Sequence, residues 1–274
     1  MIDSLFQYNF LQNALYSAIM ASIICGIIGT IIVEKNLVMM SGGIAHTSFG
    51  GVGLGYYLQI EPIIGGLLFA IISAAAIVGI RRNTGTNSDA LIGIFWSVGM
   101  ALGILFISFM PGYPPDLTTY LFGDILTVSS LDLRYIFVIT VFVLFFIMSF
   151  FNYWKAYLFD EEFLKVKGVN IKLMDYFLFI LIALSIVVII RVVGIILAIT
   201  LLTAPASIAR LYTDDLKFMM VASIAFGILF NLLGLIIPYN LDIASGAAII
   251  LLAAGTYFGL ILIKKISLGR KNYE

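Results

Sequence analysis

The hydrophobic pattern of this chain is a series of long apolar runs cut by short polar punctuation. A bilayer-spanning helix needs about 20 mostly apolar residues. By that rule the runs are 10–33, 37–60, 62–80, 90–110, 133–152, 173–190, 192–209, 216–238 and 243–263. They predict an all-α polytopic bundle of eight to nine transmembrane spans, folded as a single domain over 1–274 with short loops. The stretch 173–209 is too long for one helix, and only Arg191 and Gly194 punctuate it. It reads either as a tight hairpin or as a full span followed by a half-helix.

One run differs from the others. Leu37 to Ile60 reads as long and apolar enough to cross, yet it holds six glycines and the only histidine of the chain, His46. Gly42 and Gly50 lie four residues to either side of His46, and on a helix the three positions share a face. The imidazole then sits in a stripe bare of side chains, where another backbone approaches or a small ligand passes. Two roles stand open for His46: pathway contact, and a helix-to-helix hydrogen bond.

Composition changes little in this picture. Hydrophobic residues make up 62% of the chain and charged ones 11%, far from a soluble domain. The net charge is zero, so no nucleic acid or other polyanion is implied as a partner. The single cysteine, Cys25, excludes an internal disulfide and a cysteine metal cluster. No basic residue precedes it and the apolar run continues to Val33, so the first segment is expected to be an uncleaved span.

Charge does set an orientation. If the loop at 34–36 is cytoplasmic, thirteen bases fall inside: Lys35, Arg81, Arg82, Lys155, Lys165, Lys167, Lys172, Arg210, Lys217, Lys264, Lys265, Arg270 and Lys271. Only Arg134 and Arg191 fall outside. The positive-inside rule then puts the N-terminus outside and the C-terminus in the cytoplasm. Asp3, Glu61, Asp116, Asp124, Asp132 and Asp242 gather on the outer side, a field that attracts cations.

Three connectors carry further expectations. After the fourth span, PGYPPD precedes an apolar piece, 117–128, too short to span and expected to lie near the outer mouth, with Asp124 capping or lining it. The inner loop KAYLFDEEFLKVKGVNIK predicts a short amphipathic surface helix through Leu158, Phe159, Phe163, Leu164 and Val166. The next inner loop, TAPASIARLYTDDLKFMM, has Pro205 breaking or kinking the preceding span, then a short projecting helix with Arg210, Asp214 and Lys217. Asp242 stands as the N-cap of the last helix.

Catalytic chemistry is missing. There is no GxxxxGK[ST] loop, no HExxH and no GxSxG. One histidine cannot form a zinc-hydrolase pair. Paired intramembrane carboxylates, the mark of a proton- or sodium-coupled carrier, are also lacking. The chain is therefore not expected to be an enzyme, a stand-alone secondary carrier is the lesser alternative, and a pathway with His46 as its main polar feature needs its driving force from elsewhere.

The segments SGGIAH (Ser41 to His46), FGGVGLG (Phe49 to Gly55), NSDALIGIFWSVGMALGILFIS (87–108), LFGDIL (121–126) and FDEEFLKVKGV (159–169) occur in order. VGIILAITLLTAPASIARLY and LLGLIIPYNLDIASGAAIILLA follow. Together they resemble the membrane permease subunits of ABC importers for zinc, manganese or iron, the metal-type ABC-3 permeases of prokaryotic plasma membranes. The resemblance implies a homodimer moving a divalent metal inward by alternating access. It implies cytoplasmic ATPase subunits that bind the ATP, an extracellular metal-binding protein, and no cofactor bound by this chain. It makes the segment around Ala206, Arg210, Asp214 and Lys217 a coupling helix to the ATPase, with 159–169 adding to that contact. His46 becomes the pathway metal contact, with Gly42 and Gly50 lining the path. The family's Ser-Asp-Ala-Leu-Ser-His carries an aspartate where this chain has Gly42. Cys25, Met39 and Met40 are the soft atoms left to assist a metal. The missing carboxylate keeps a second reading open: a permease of the same architecture for a metal chelate or another small solute.

Overall fold

The computed structural model describes residues 8–84, 88–113, 120, 121, 123, 125–241 and 245–271. Its helices are α1 (Asn9–Glu34), α2 (Val38–Tyr57), α3 (Pro62–Thr84), α4 (Ser88–Ser108), α5 (Ser130–Ser149), α6 (Phe151–Phe159), α7 (Glu161–Val166), α8 (Ile171–Val193), α9 (Ile195–Arg210), α10 (Leu216–Leu241) and α11 (Ser245–Lys271). A short 3-10 turn covers Ile125–Thr127. Nine of these helices run between two ends of the bundle. One end carries Lys35, Arg81, Arg82, Arg210 and Lys217, and is called the basic end below. The other carries Glu61, Asp132 and Arg191.

Seven helices are long and apolar enough to cross a membrane: α1, α3, α4, α5, α8, α10 and α11. The remaining two are α2 and α9, of which α9 is too short. Contrary to the sequence reading, α2 is long enough but not apolar enough to count among them. Its glycines lower its hydropathy, and its neighbours supply the cover that lipid would otherwise meet. Gly51 lies against the backbone of Gly65 in α3, Gly53 against that of Gly103 in α4, and Gly99 of α4 against Thr47. Small residues let helix backbones approach to van der Waals distance, which is what binds helices where lipid is as apolar as the side chains.

The stretch 173–209 resolves at Gly194. This residue closes α8 with φ 79° and ψ 166°, a conformation open to glycine, and α9 begins at the next residue. Arg191 pairs with Asp132 at the acidic end, while Arg210 reaches Glu34 at the basic end, each about 3 Å away. The chain therefore reverses at Gly194. α9, at 16 residues, is about 24 Å long, short of the roughly 30 Å hydrocarbon core. Pro205 neither ends nor breaks α9, which continues through it to Arg210.

α1 is the hub of the other half. Ile24, Ile28, Ile31 and Ile32 are fully buried, and the helix packs against α5, α8, α9 and α10. Asn231 of α10 donates to Ser22 of α1 at 2.9 Å, beside Gly227. At the acidic end, Ser129 and Asp132 form a reciprocal capping box that starts α5. Tyr120 packs on Phe49 at 5.2 Å, and Ile125 is buried, so the connector before α5 dips into the bundle. Asp3, Asp116, Asp124 and Asp242 lie outside the described residues, and so does most of the proline-rich loop.

The basic end departs from expectation twice. The loop after α5 forms two short helices, α6 and α7, and the expected apolar face is split. Leu164 anchors α7 in the core, whereas Phe159, Phe163 and Val166 stay exposed. The projecting helix expected over 206–217 does not form. Ala206 to Arg210 are the last turns of α9, 211–215 is a turn, and Lys217 already belongs to α10. Arg210 is pinned to Glu34 and to the Val33 carbonyl at 3.3 Å, and Lys264 bonds the Leu211 carbonyl, so the turn is held flat against the bundle.

A Gly51→Leu variant should lose about 1–3 kcal/mol of stability by overpacking against Gly65. Gly255→Ala, where a Cβ meets nothing within 4 Å, should melt with the wild type in the same detergent.

Candidate functional site

His46 sits midway along α2, half-buried against α4. Its ring stacks on Trp96 of α4, with centroids 3.7 Å apart and planes 17° from parallel. Nδ1 lies 2.8 Å from the Gly42 carbonyl. A carbonyl only accepts, so Nδ1 carries the proton and Nε2 keeps a free lone pair. That is the arrangement by which proteins hold a metal-ligating imidazole, one nitrogen oriented by a backbone acceptor and the other offered to the ligand.

The two glycines that flank His46 do different work. A Cβ on Gly42 would be 3.9 Å from Ile199 of α9 and from Trp96, an ordinary contact. Nothing in the packing demands glycine there, and the position leaves room beside the imidazole. A Cβ on Gly50 would stand 2.9 Å from the Gly99 carbonyl and 3.1 Å from Phe69. Gly50 is a close helix contact and is fully packed.

α9 approaches the same stretch of α2 through Ile199. Ile196, Thr200, Thr203 and Ser207 form a partly exposed stripe at helical spacing, and Ile199 next to it reaches Gly42. Thr203 donates to the Ile199 carbonyl at 2.8 Å and Thr200 to the Ile196 carbonyl at 3.2 Å. Each hydroxyl thus spends its proton on its own helix and turns acceptor lone pairs outward. Sequence reasoning missed both this stripe and Trp96. The threonine spacing was visible, but only the Gly194 reversal brings α9 alongside α2.

The soft atoms do not gather around His46. Cys25 is fully buried in α1. The Met40 sulfur lies 3.8 Å from Arg81, and Met39 is exposed. Among the described residues, no three His, Cys, Asp or Glu side chains converge as metal ligands. Of the residues expected to couple to an ATPase, Ala206 is buried, Arg210 is pinned as above, and Asp214 and Lys217 are exposed.

Comparison with known proteins follows this geometry. A manganese transport system membrane protein of Halalkalibacterium halodurans is 34% identical, over 94% of this chain and 88% of its own. A manganese import system permease protein of Streptococcus parasanguinis is 36% identical, over 92% of this chain and 90% of its own. The solved structure of PsaBC from Streptococcus pneumoniae in complex with Fab matches with a TM-score of 0.85 at 35% identity, over 94% of this chain and 92% of that one. Residues 7–264 match the model of the ABC 3 transport family. The sequence motifs, the multi-pass bundle and these matches agree: the chain belongs to the ABC 3 transport family of membrane permeases.

Proposed function

We propose that this chain is the membrane permease of an ABC importer for a divalent metal ion, manganese before zinc or iron. The observation that carries the reading is the orientation of His46, whose Nδ1 bonds the Gly42 carbonyl and leaves Nε2 available to a ligand. An imidazole nitrogen suits zinc or iron and oxygen ligands suit manganese, so the ligand chemistry fits a divalent first-row ion and the choice among them rests on the relatives. One imidazole per chain is too little for a closed tetrahedral site. A pathway contact has to release its ion, so a sparse ligand set fits transport better than storage. The relatives named for manganese transport and import support the choice of metal.

In this reading two copies form the path, and an extracellular binding protein delivers the ion to the acidic end. ATPase subunits dock on the basic end, which carries most of the lysine and arginine and lies in the cytoplasm together with the C-terminus. Their docking surface is α7 with the end of α6, where Phe163 and Val166 of α7 and Phe159 of α6 stand exposed among charged residues, with Asp214 and Lys217 as further contacts. ATP binding and hydrolysis on the partners then drive alternating access. A second reading, transport of a metal chelate, is favoured by one observation: the space at Gly42, where the family's carboxylate would stand.

His46→Ala should lower ATP-driven manganese uptake into proteoliposomes at least about tenfold, with ATPase assembly intact. Uptake at the wild-type rate would remove His46 from the path. Gly42→Asp should fold normally and lower the KM for free manganese by roughly tenfold, since it adds a carboxylate one turn from the imidazole. If Gly42→Asp instead abolishes transport, the chelate reading gains. Phe163→Asp should release the ATPase on co-purification while leaving the permease's own melting temperature in place.

A further inference from the structure

A connected run of polar contacts at the basic end joins the proposed ATPase surface to the His46 helix. Lys35, in the turn between α1 and α2, pairs with Glu161 in the first turn of α7 at 2.5 Å. Its ammonium also lies 3.9 Å over the ring of Tyr157 in α6. The Tyr157 hydroxyl donates to Asp175 of α8, and Asp175 in turn accepts from Nε of Arg82, at the end of α3, at 2.7 Å. Burial first, and then the Asp175 contact, push the Tyr157 hydroxyl well above its ordinary range, so it stays a donor.

The position of Lys35 sets it apart from an ordinary surface pair. Its side chain is only 18% exposed, and its two partners belong to two different short helices. The turn that carries it is closed tightly. Lys35 N–H donates to the Ile31 carbonyl at 3.0 Å, Asn36 N–H to Val33 at 3.2 Å, and Leu37 N–H to Ile32 at 2.8 Å. Asn36 holds φ at 55°, so the turn has one compact form with little slack. Ser41 N–H then donates to the Leu37 carbonyl, which makes the turn continuous with α2. Val38 to His46 is about 12 Å along that helix. A displacement of α7 is therefore carried by a short, hydrogen-bonded lever. Coupling between distant sites can be carried by packed and hydrogen-bonded elements of this kind, here a rigid lever that changes its place and not its form.

We propose that Lys35 is a positioning residue for transport: held by Glu161 and Tyr157, it passes movement of α7 to the first turn of α2 and so to His46. The inference rests on the reading of α7 as the ATPase surface. A plain structural staple would hold the short helices in place but would not set how many ions move per ATP.

The test uses proteoliposomes holding the permease with its ATPase subunits and binding protein, with manganese alone as the transported ion. Lys35→Met, Lys35→Glu and Glu161→Lys should each keep ATP hydrolysis within about twofold of wild type while manganese uptake falls about tenfold. The Lys35→Glu/Glu161→Lys double variant should restore uptake to about a third of wild type or better, and Lys35→Arg should transport normally. Normal uptake by Lys35→Met overturns the role. So does a double variant that assembles without recovering, and so does loss of assembly in all the charge variants, which would make the pair a staple. Wild-type proteoliposomes with no ATP-driven uptake would overturn the importer reading and the lever with it. Normal wild-type uptake alongside an unimpaired Lys35→Met overturns the lever alone.

Discussion

The structure depends on the contact between α2 and the two helices that sheathe it. A helix with a histidine and six glycines would be a poor neighbour for lipid. It is held at the centre because Gly51, Gly53, Gly65, Gly99 and Gly103 remove the side chains that would keep backbones apart. The attraction is dispersion summed over a long seam, since no hydrophobic drive separates protein from lipid tails. The same seam fixes Trp96 over His46 and so fixes the ring's orientation.

Much of the architecture was legible in the chain. Each of the nine runs holds a helix, and seven of these are long and apolar enough to span, while α2 falls short on apolarity and α9 on length. The Lys/Arg bias groups residues that the structure brings to one end of the bundle. Local patterns failed where tertiary packing decides. The 211–215 turn looked like a projecting helix because its composition is polar and small. Arg210 and Lys264 pin it flat, through partners distant in sequence. Pro205 was expected to break or kink the span, and the helix continues through it without a break.

The site was half legible. His46 stood out as the chain's sole histidine, and its i−4 relation to Gly42 is a helical certainty. Gly42 and Gly50 looked equivalent in sequence, however, and are opposite in space, one beside room and the other against a carbonyl. What distinguishes them is which helix lies opposite, and no single-sequence periodicity contains that. The α9 stripe was hidden for the same reason, since its place follows from a one-residue reversal at Gly194.

That reversal has an electrical consequence. The cost of carrying an ion through a membrane grows with the thickness of low-dielectric material around its route. α9, at about 24 Å, is shorter than the hydrocarbon layer, and its hydroxyls lie along it. An ion following the proposed path beside α9 would therefore have less helix to pass than one beside the seven longer spans.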